Sequence, residues 1–242
     1  MTVAVLVGVL ALVAGTIGGL IGFGSTIILM PALVFAVGPL AAIPILTIAG
    51  LMANLSRVIV WWREVDWRAA LVFSAGAIPS SALGARTLIA LDPGRIQLAI
   101  GIFLLLLIPV RRWLLARGFR IALWHLAVVG LVIGFLAGVV TTVGPINTPF
   151  FLAYGLVKGP FISTEALGSL LMGLSKASVF RTFGALPSEL IAQGLMVGGA
   201  VTVGSWLAKR LMDHITVAQF RWLMDGVLLA AGLSMIAGAV LT

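Results

Sequence analysis

Arg57 and Lys176 are cations set inside long apolar stretches, in "LSR" (55–57) and "LSK" (174–176), 119 positions apart. A guanidinium can grip an oxyanion with two donors, whereas an ammonium offers a point charge. Ser56 and Ser175 adjoin the two cations, Asn54 lies three positions before Arg57, and Asn147 sits in another apolar piece. Polar groups at membrane depth either bond neighbouring helices or serve a ligand. Together these residue types offer recognition of a small anion. Ser175 beside Lys176 would suit a hydrolase only if the side chains met, and neighbours on a helix do not face each other. The chain also lacks the G-x-x-x-x-G-K-[ST], H-E-x-x-H and G-x-S-x-G patterns, so no enzyme is expected.

Two glycine-rich interruptions must position these groups. The first is "GTIGGLIGFGSTIILMP" (15–31) and the second "GFLAGVVTTVGPINTP" (134–149). Glycine and proline weaken helices, and a bilayer tolerates a broken helix only where protein or a water-filled cavity satisfies the freed backbone. The second piece of a broken helix begins with free N–H groups and partial positive charge, which suits an anion. Gly22, Gly24, Ser25 and Thr26 form one expected half-site. Thr141, Thr142, Gly144 and Asn147 form the other, and Asn54, Ser56, Arg57, Ser175 and Lys176 add groups from the helices that follow. Close helix packing by small residues is the alternative account of the glycines.

The composition sets the solvent. Of 242 residues, 62% are hydrophobic and 9% charged, so the chain is expected to be an all-α polytopic membrane protein forming one transmembrane domain. Apolar helices are expected at about 3–22, 40–61, 68–90, 94–111, 121–141, 161–181, 188–209 and 217–240, with shorter pieces at 26–37 and 146–157. Each long run approaches the ~20 residues needed to span the hydrocarbon. The first reads as a membrane helix rather than a cleaved signal. The net charge of +8 resides mostly in short loops, where topology explains it better than nucleic acid does. The absence of cysteine excludes thiol ligands. His125 and His214 are isolated at span boundaries, so neither metal nor cofactor is expected.

A shift of 119 residues lays Gly15 on Gly134, Gly19 on Gly138, Ser25 on Gly144 and Arg57 on Lys176. The chain thus divides into repeats of about 3–111 and 121–240, joined by the basic loop "RRWLLARGFR". If each break crosses the membrane once, loop cations divide seven against five; if each is a hairpin returning to its own side, they divide nine against three. The positive-inside tendency favours hairpins. Each half then makes an odd number of crossings. The expectation is two inverted repeats, each a re-entrant helix hairpin plus three transmembrane helices, with the basic loop in the cytoplasm and both termini outside. Inversion would place Arg57 toward a cytoplasmic vestibule and Lys176 toward an outer one.

The break "GGLIGFGSTIILMP", its degenerate copy "GFLAGVVTTVGPINTP", and the pair Arg221 and Gly226 resemble the TauE/SafE sulfite exporter family. That resemblance implies a secondary transporter of the inner membrane that exports or takes up sulfite, an organosulfonate or a related small sulfur-containing anion, with export the leading expectation. Its partners would be that anion and the surrounding lipid; a homo-oligomer is compatible. A passive anion channel and a non-transporting scaffold are the other readings. Asp225, near mid-helix and four residues after Arg221, is either one side of an ion pair or a proton-coupling acid. Glu165 is expected in a first helical turn, as favourable end charge.

Overall fold

The computed structural model describes residues 2–21, 24–91, 120–140, 143–156 and 158–211, with scattered positions between 98 and 118 and between 222 and 237. The described residues form α-helices and one short 3-10 turn. The helices are α1 (Thr2–Ile21), α2 (Gly24–Val37), α3 (Pro39–Val60), α4 (Trp67–Ile89), α5 (His125–Val139), α6 (Gly144–Tyr154), α7 (Lys158–Thr182) and α8 (Ser188–Leu211). The expected order of long helix, break and short piece is present in both halves.

Boundaries moved where local chemistry outweighed hydropathy. Asp66 caps α4, its carboxylate accepting the Ala69 N–H at 3.0 Å, so the helix opens at Trp67. α7 begins at Lys158, because Pro160 in its first turn needs no N–H partner. Glu165 therefore lies two turns into α7, not in its first turn. Pro31 and Pro149 sit inside α2 and α6, and the interruptions lie just before those helices.

Several glycines of the "breaks" remain helical and let backbones touch. A Cβ on Gly15 would stand 2.7 Å from Val201 Cα, and one on Gly19 would stand 2.7 Å from Ser205 Cα. Their 119-shift counterparts do the same elsewhere: Gly134 meets Ala77 and Gly138 meets Gly84 and Ala85. α1 thus lies close along α8, and α5 along α4, with each pair parallel. α3 also runs parallel to α8: Gly194 abuts Ile48, Gly198 abuts Ala49, and the Trp206 indole donates to Ser56 Oγ at 3.0 Å. α7 runs parallel to α4, with Gly168 on Phe73 and Ser175 Oγ donating to the Ile78 carbonyl at 2.9 Å. α3 and α7 are antiparallel, since Leu51 meets Gly173 while Arg57 meets Glu165.

The two short helices turn back on their predecessors. The Ile121 N–H donates to the Ala153 carbonyl at 3.2 Å, so the chain entering α5 lies beside the chain leaving α6. A Cβ on Gly18 would stand 2.6 Å from Ser25 N; a continuous helix would separate these residues by roughly 10 Å. The α5/α6 hairpin opens at the end that carries Trp61, Trp62, Trp67 and Trp124. There the Asp66 N–H also meets Thr164 Oγ1 at 2.9 Å. The α1/α2 hairpin opens at the opposite end, where Arg86 lies 5.6 Å from the Phe183 ring.

Large apolar side chains such as Val9, Phe35, Leu71, Leu83, Leu131, Met196 and Val203 are exposed. Arg57, Asn54, Asn147, Glu165 and Lys176 are buried. Apolar outside and polar inside is the arrangement a bilayer selects. Pro39–Val60 and Ser188–Ala208 are long and apolar enough to cross one. Exposed Trp62, Trp67 and Trp124 gather at one end, as aromatic residues do at a membrane interface.

Candidate functional site

The hairpin tips face one cavity of about 80 Å³, room for several waters or one small anion. Ser25 and Thr26 reach it from the first turn of α2, and Val143 and Gly144 from the start of α6. Two helix N-termini therefore converge on it. Its walls are the antiparallel α3 and α7. Adding 119 to Leu46, Gly50, Ala53, Asn54 and Arg57 gives Glu165, Ser169, Met172, Gly173 and Lys176, and all ten residues line the cavity. The two halves present the same helix face to one space.

Arg57 and Lys176 consequently share a single cavity rather than lining separate vestibules. Arg57 donates to Asn54 Oδ1, a pair three residues apart on one helical face. Its Nη1 stands 3.7 Å from Glu165 Oε2, an ion pair longer than a hydrogen bond. Ser169 Oγ donates to Glu165 Oε1 at 2.7 Å. Lys176 Nζ donates to the carbonyls of Ala137 at 2.7 Å and Val140 at 3.0 Å. It thereby satisfies the C-terminal end of α5; its third donor has no hydrogen-bond partner among the described residues, and the Phe180 ring lies 5.5 Å from Nζ.

Asn147, on α6, is fully buried beside the Glu165 carboxylate. Neither of its amide atoms has a hydrogen-bond partner among the described residues, and the same holds for Arg57 Nη1 and Glu165 Oε2. Buried polar atoms are normally satisfied, because leaving one bare costs about 1–3 kcal/mol. Four such atoms on three neighbouring side chains mark the place where a polar ligand gains most.

The expected residues divide. Ser25, Thr26, Asn54, Arg57, Gly144 and Lys176 line the cavity, whereas Asn147 does not and is fully buried beside Glu165. Gly24 is buried against Ile17 and Gly18 at the α1/α2 tip. Ser56 and Ser175 do not line it; their hydroxyls are used between helices, with Trp206 and Ile78. Each adjoins a cavity cation in sequence but projects from another side of its helix. Gly22, Thr141, Thr142, Arg221, Asp225 and His214 lie outside the described residues. His125 is a boundary residue, its Nδ1 accepting the Ala122 N–H at 3.1 Å. Glu165 was not among the expected site residues. The repeat held its signal, since Glu165 overlays Leu46 on a cavity-facing helix.

Comparison with protein families matches residues 7–235 to the family described as "Sulfite exporter TauE/SafE". The chain belongs to the TauE/SafE family. It is also similar to a protein of Bacillus subtilis (strain 168) described as a "Probable membrane transporter protein YunE", 31% identical over 114 residues. That match covers 43% of this chain and 42% of the relative, less than half of its length. No solved structure matches. Within this family member, a buried polar cavity lies inside an apolar helical shell.

Proposed function

We propose that the protein is a secondary transporter that exports sulfite or a small organosulfonate across the cytoplasmic membrane, with the α3/α7 cavity as its substrate site. The observation that carries this is the cluster of four buried polar atoms on Arg57, Glu165 and Asn147 that have no hydrogen-bond partner among the described residues. Arg57 and Glu165 line the cavity where two helix N-termini meet two cations, and Asn147 is buried beside Glu165. An oxyanion there would accept from Arg57, from the third donor of Lys176 and from the tip hydroxyls, and it would complete their hydrogen bonds.

We further propose that the halves are inverted repeats that exchange access by rocking around this site. Antiparallel α3 and α7, the exchanged packing of α1 on α8 and α5 on α4, and the 119-residue match of lining residues support the inversion. The tryptophan end would be cytoplasmic, because Arg63, Arg68, Arg120 and positions 158, 209 and 210 cluster there against Arg86 and Arg181 at the other end.

Uptake of labelled sulfite into liposomes containing the purified protein, with and without a pH gradient, tests the proposal. The expected result is saturable uptake that unlabelled internal sulfite accelerates by exchange. Flux without exchange would indicate a channel, and absence of flux would overturn the substrate assignment.

A further inference from the structure

The basic and acidic groups that line the cavity are unequal in number. Arg57 and Lys176 are two basic groups, carrying two positive charges when both are protonated, and Glu165 is the one carboxylate among the described lining residues. All three are at most 6% exposed. An uncompensated charge is costly in a membrane interior, so the site is electrically complete only when it holds two negative charges. We propose that Glu165 stands in for substrate charge: the site holds two negative charges in all, and Glu165 supplies one of them unless the substrate supplies both. This inference rests on the cavity being the anion site.

The geometry gives the carboxylate both states. Ionised, it faces Arg57 across 3.7 Å, held by one hydrogen bond from Ser169 and not by a two-point clamp that an anion would have to break. Protonated, its Oε2–H needs an acceptor. Asn147 stands beside it, fully buried, with no hydrogen-bond partner among the described residues. A monoanion would bind beside the ionised carboxylate. A dianion would bind with one proton, taken from water onto Glu165 Oε2 and returned to water when the dianion leaves. The same pocket would then move a dianion with a proton and a monoanion without one.

Few other charges face Glu165. α3 presents Arg57, and α7 itself presents Lys176, three turns further on. α4 brings Asp66 and Arg68 near Thr164, with the Asp66 carboxylate engaged in capping α4. α6 brings the Asn147 amide, with Tyr154 at its far end, and the start of α5 carries His125. Of the described groups, Glu165 is the one carboxylate that can neutralise itself inside the pocket.

Binding of sulfate and of methanesulfonate to the purified protein in detergent tests this. Sulfate remains a dianion, and methanesulfonate a monoanion, across the working range. Proton uptake is read directly with a pH indicator in weak buffer. The expected result is uptake approaching one proton per sulfate and none with methanesulfonate. Sulfate affinity should rise by up to about tenfold per unit fall in pH, as one linked proton requires. Glu165→Gln should bind sulfate with no proton uptake and a flat pH profile, while Glu165→Asp keeps the slope. Equal uptake with both anions in the wild-type protein, or uptake that persists in Glu165→Gln, overturns the role of Glu165 and leaves the anion site standing. If neither anion binds the wild-type protein at any pH, the anion site itself falls, and this inference with it.

Discussion

The Ile121 N–H and the Ala153 carbonyl meet at 3.2 Å, which brings the two ends of the α5/α6 hairpin to the same end of the molecule. Position 158, four residues after Tyr154, therefore lies near Arg63, and Arg181 lies at the other end, near Arg86. The chain has no cysteine, so single cysteines report sidedness directly. Arg63→Cys and Lys158→Cys should react with an impermeant thiol reagent from one side of oriented vesicles, and Arg181→Cys from the other. Labelling of 63 and 158 from opposite sides would mean that the broken segment crosses the membrane.

The glycines at helix contacts should govern stability rather than transport. A Cβ on Gly138 would stand 2.6 Å from both Ala85 N and Gly84 Cα. Backbone cannot yield there, so α4 and α5 would have to separate. Gly138→Ala should cost about 1–3 kcal/mol, typical of overpacking. Gly199, inside α8, has nothing within 4 Å of its added Cβ. Gly199→Ala should gain about 0.5–1 kcal/mol from helix propensity. Thermal unfolding in one detergent compares the two, and equal shifts would contradict the close contact of α4 with α5.

Much of this arrangement was legible in the sequence because the repeat carries it. Arg57 and Lys176 stood out as matched cations, and the glycine-rich stretches gave Ser25, Thr26 and Gly144. All five line the cavity. Glu165 was missed because its meaning depends on Arg57, 108 positions away in sequence, and only the antiparallel contact of α3 with α7 joins them. Ser56 and Ser175 were over-read for the opposite reason. Adjacency in sequence suggested a shared site, but a helix turns consecutive side chains in different directions. Hydropathy likewise could not separate glycines that break a helix from glycines that pack one, as Gly15 and Gly19 do.

Lys176 has a structural task, and the proposed anion site would give it a second. It holds the Ala137 and Val140 carbonyls at the end of α5 and has one donor left. Lys176→Met keeps the apolar stem and removes every donor. It should lower stability by about 1–3 kcal/mol as those carbonyls lose their partner. It should also weaken sulfite binding by about tenfold or more, since a charge-assisted hydrogen bond is lost. The two effects separate in one assay: sulfite should raise the unfolding temperature of the wild-type protein far more than that of the variant. Equal stabilisation of both would confine Lys176 to the α5 end.

Arg57 and Glu165 invite a double-mutant cycle, because a structural ion pair and a substrate site predict different outcomes. Arg57→Gln leaves a buried carboxylate without its cation, and Glu165→Gln leaves the guanidinium without its counter-charge. Breaking one side of a buried pair costs about 3–5 kcal/mol, whereas removing both sides is often close to neutral. The double variant should therefore unfold closer to the wild-type temperature than either single variant does. Added sulfite should restore stability to Glu165→Gln, because the anion replaces the missing negative charge, and should do little for Arg57→Gln. Transport separates the roles. If the pair served only to join α3 to α7, the refolded double variant would carry sulfite at the wild-type rate. If Arg57 grips the anion, the double variant stays folded and still fails to transport. Thermal unfolding and sulfite flux on the same four proteins decide between these outcomes, and we expect a stable double variant without transport.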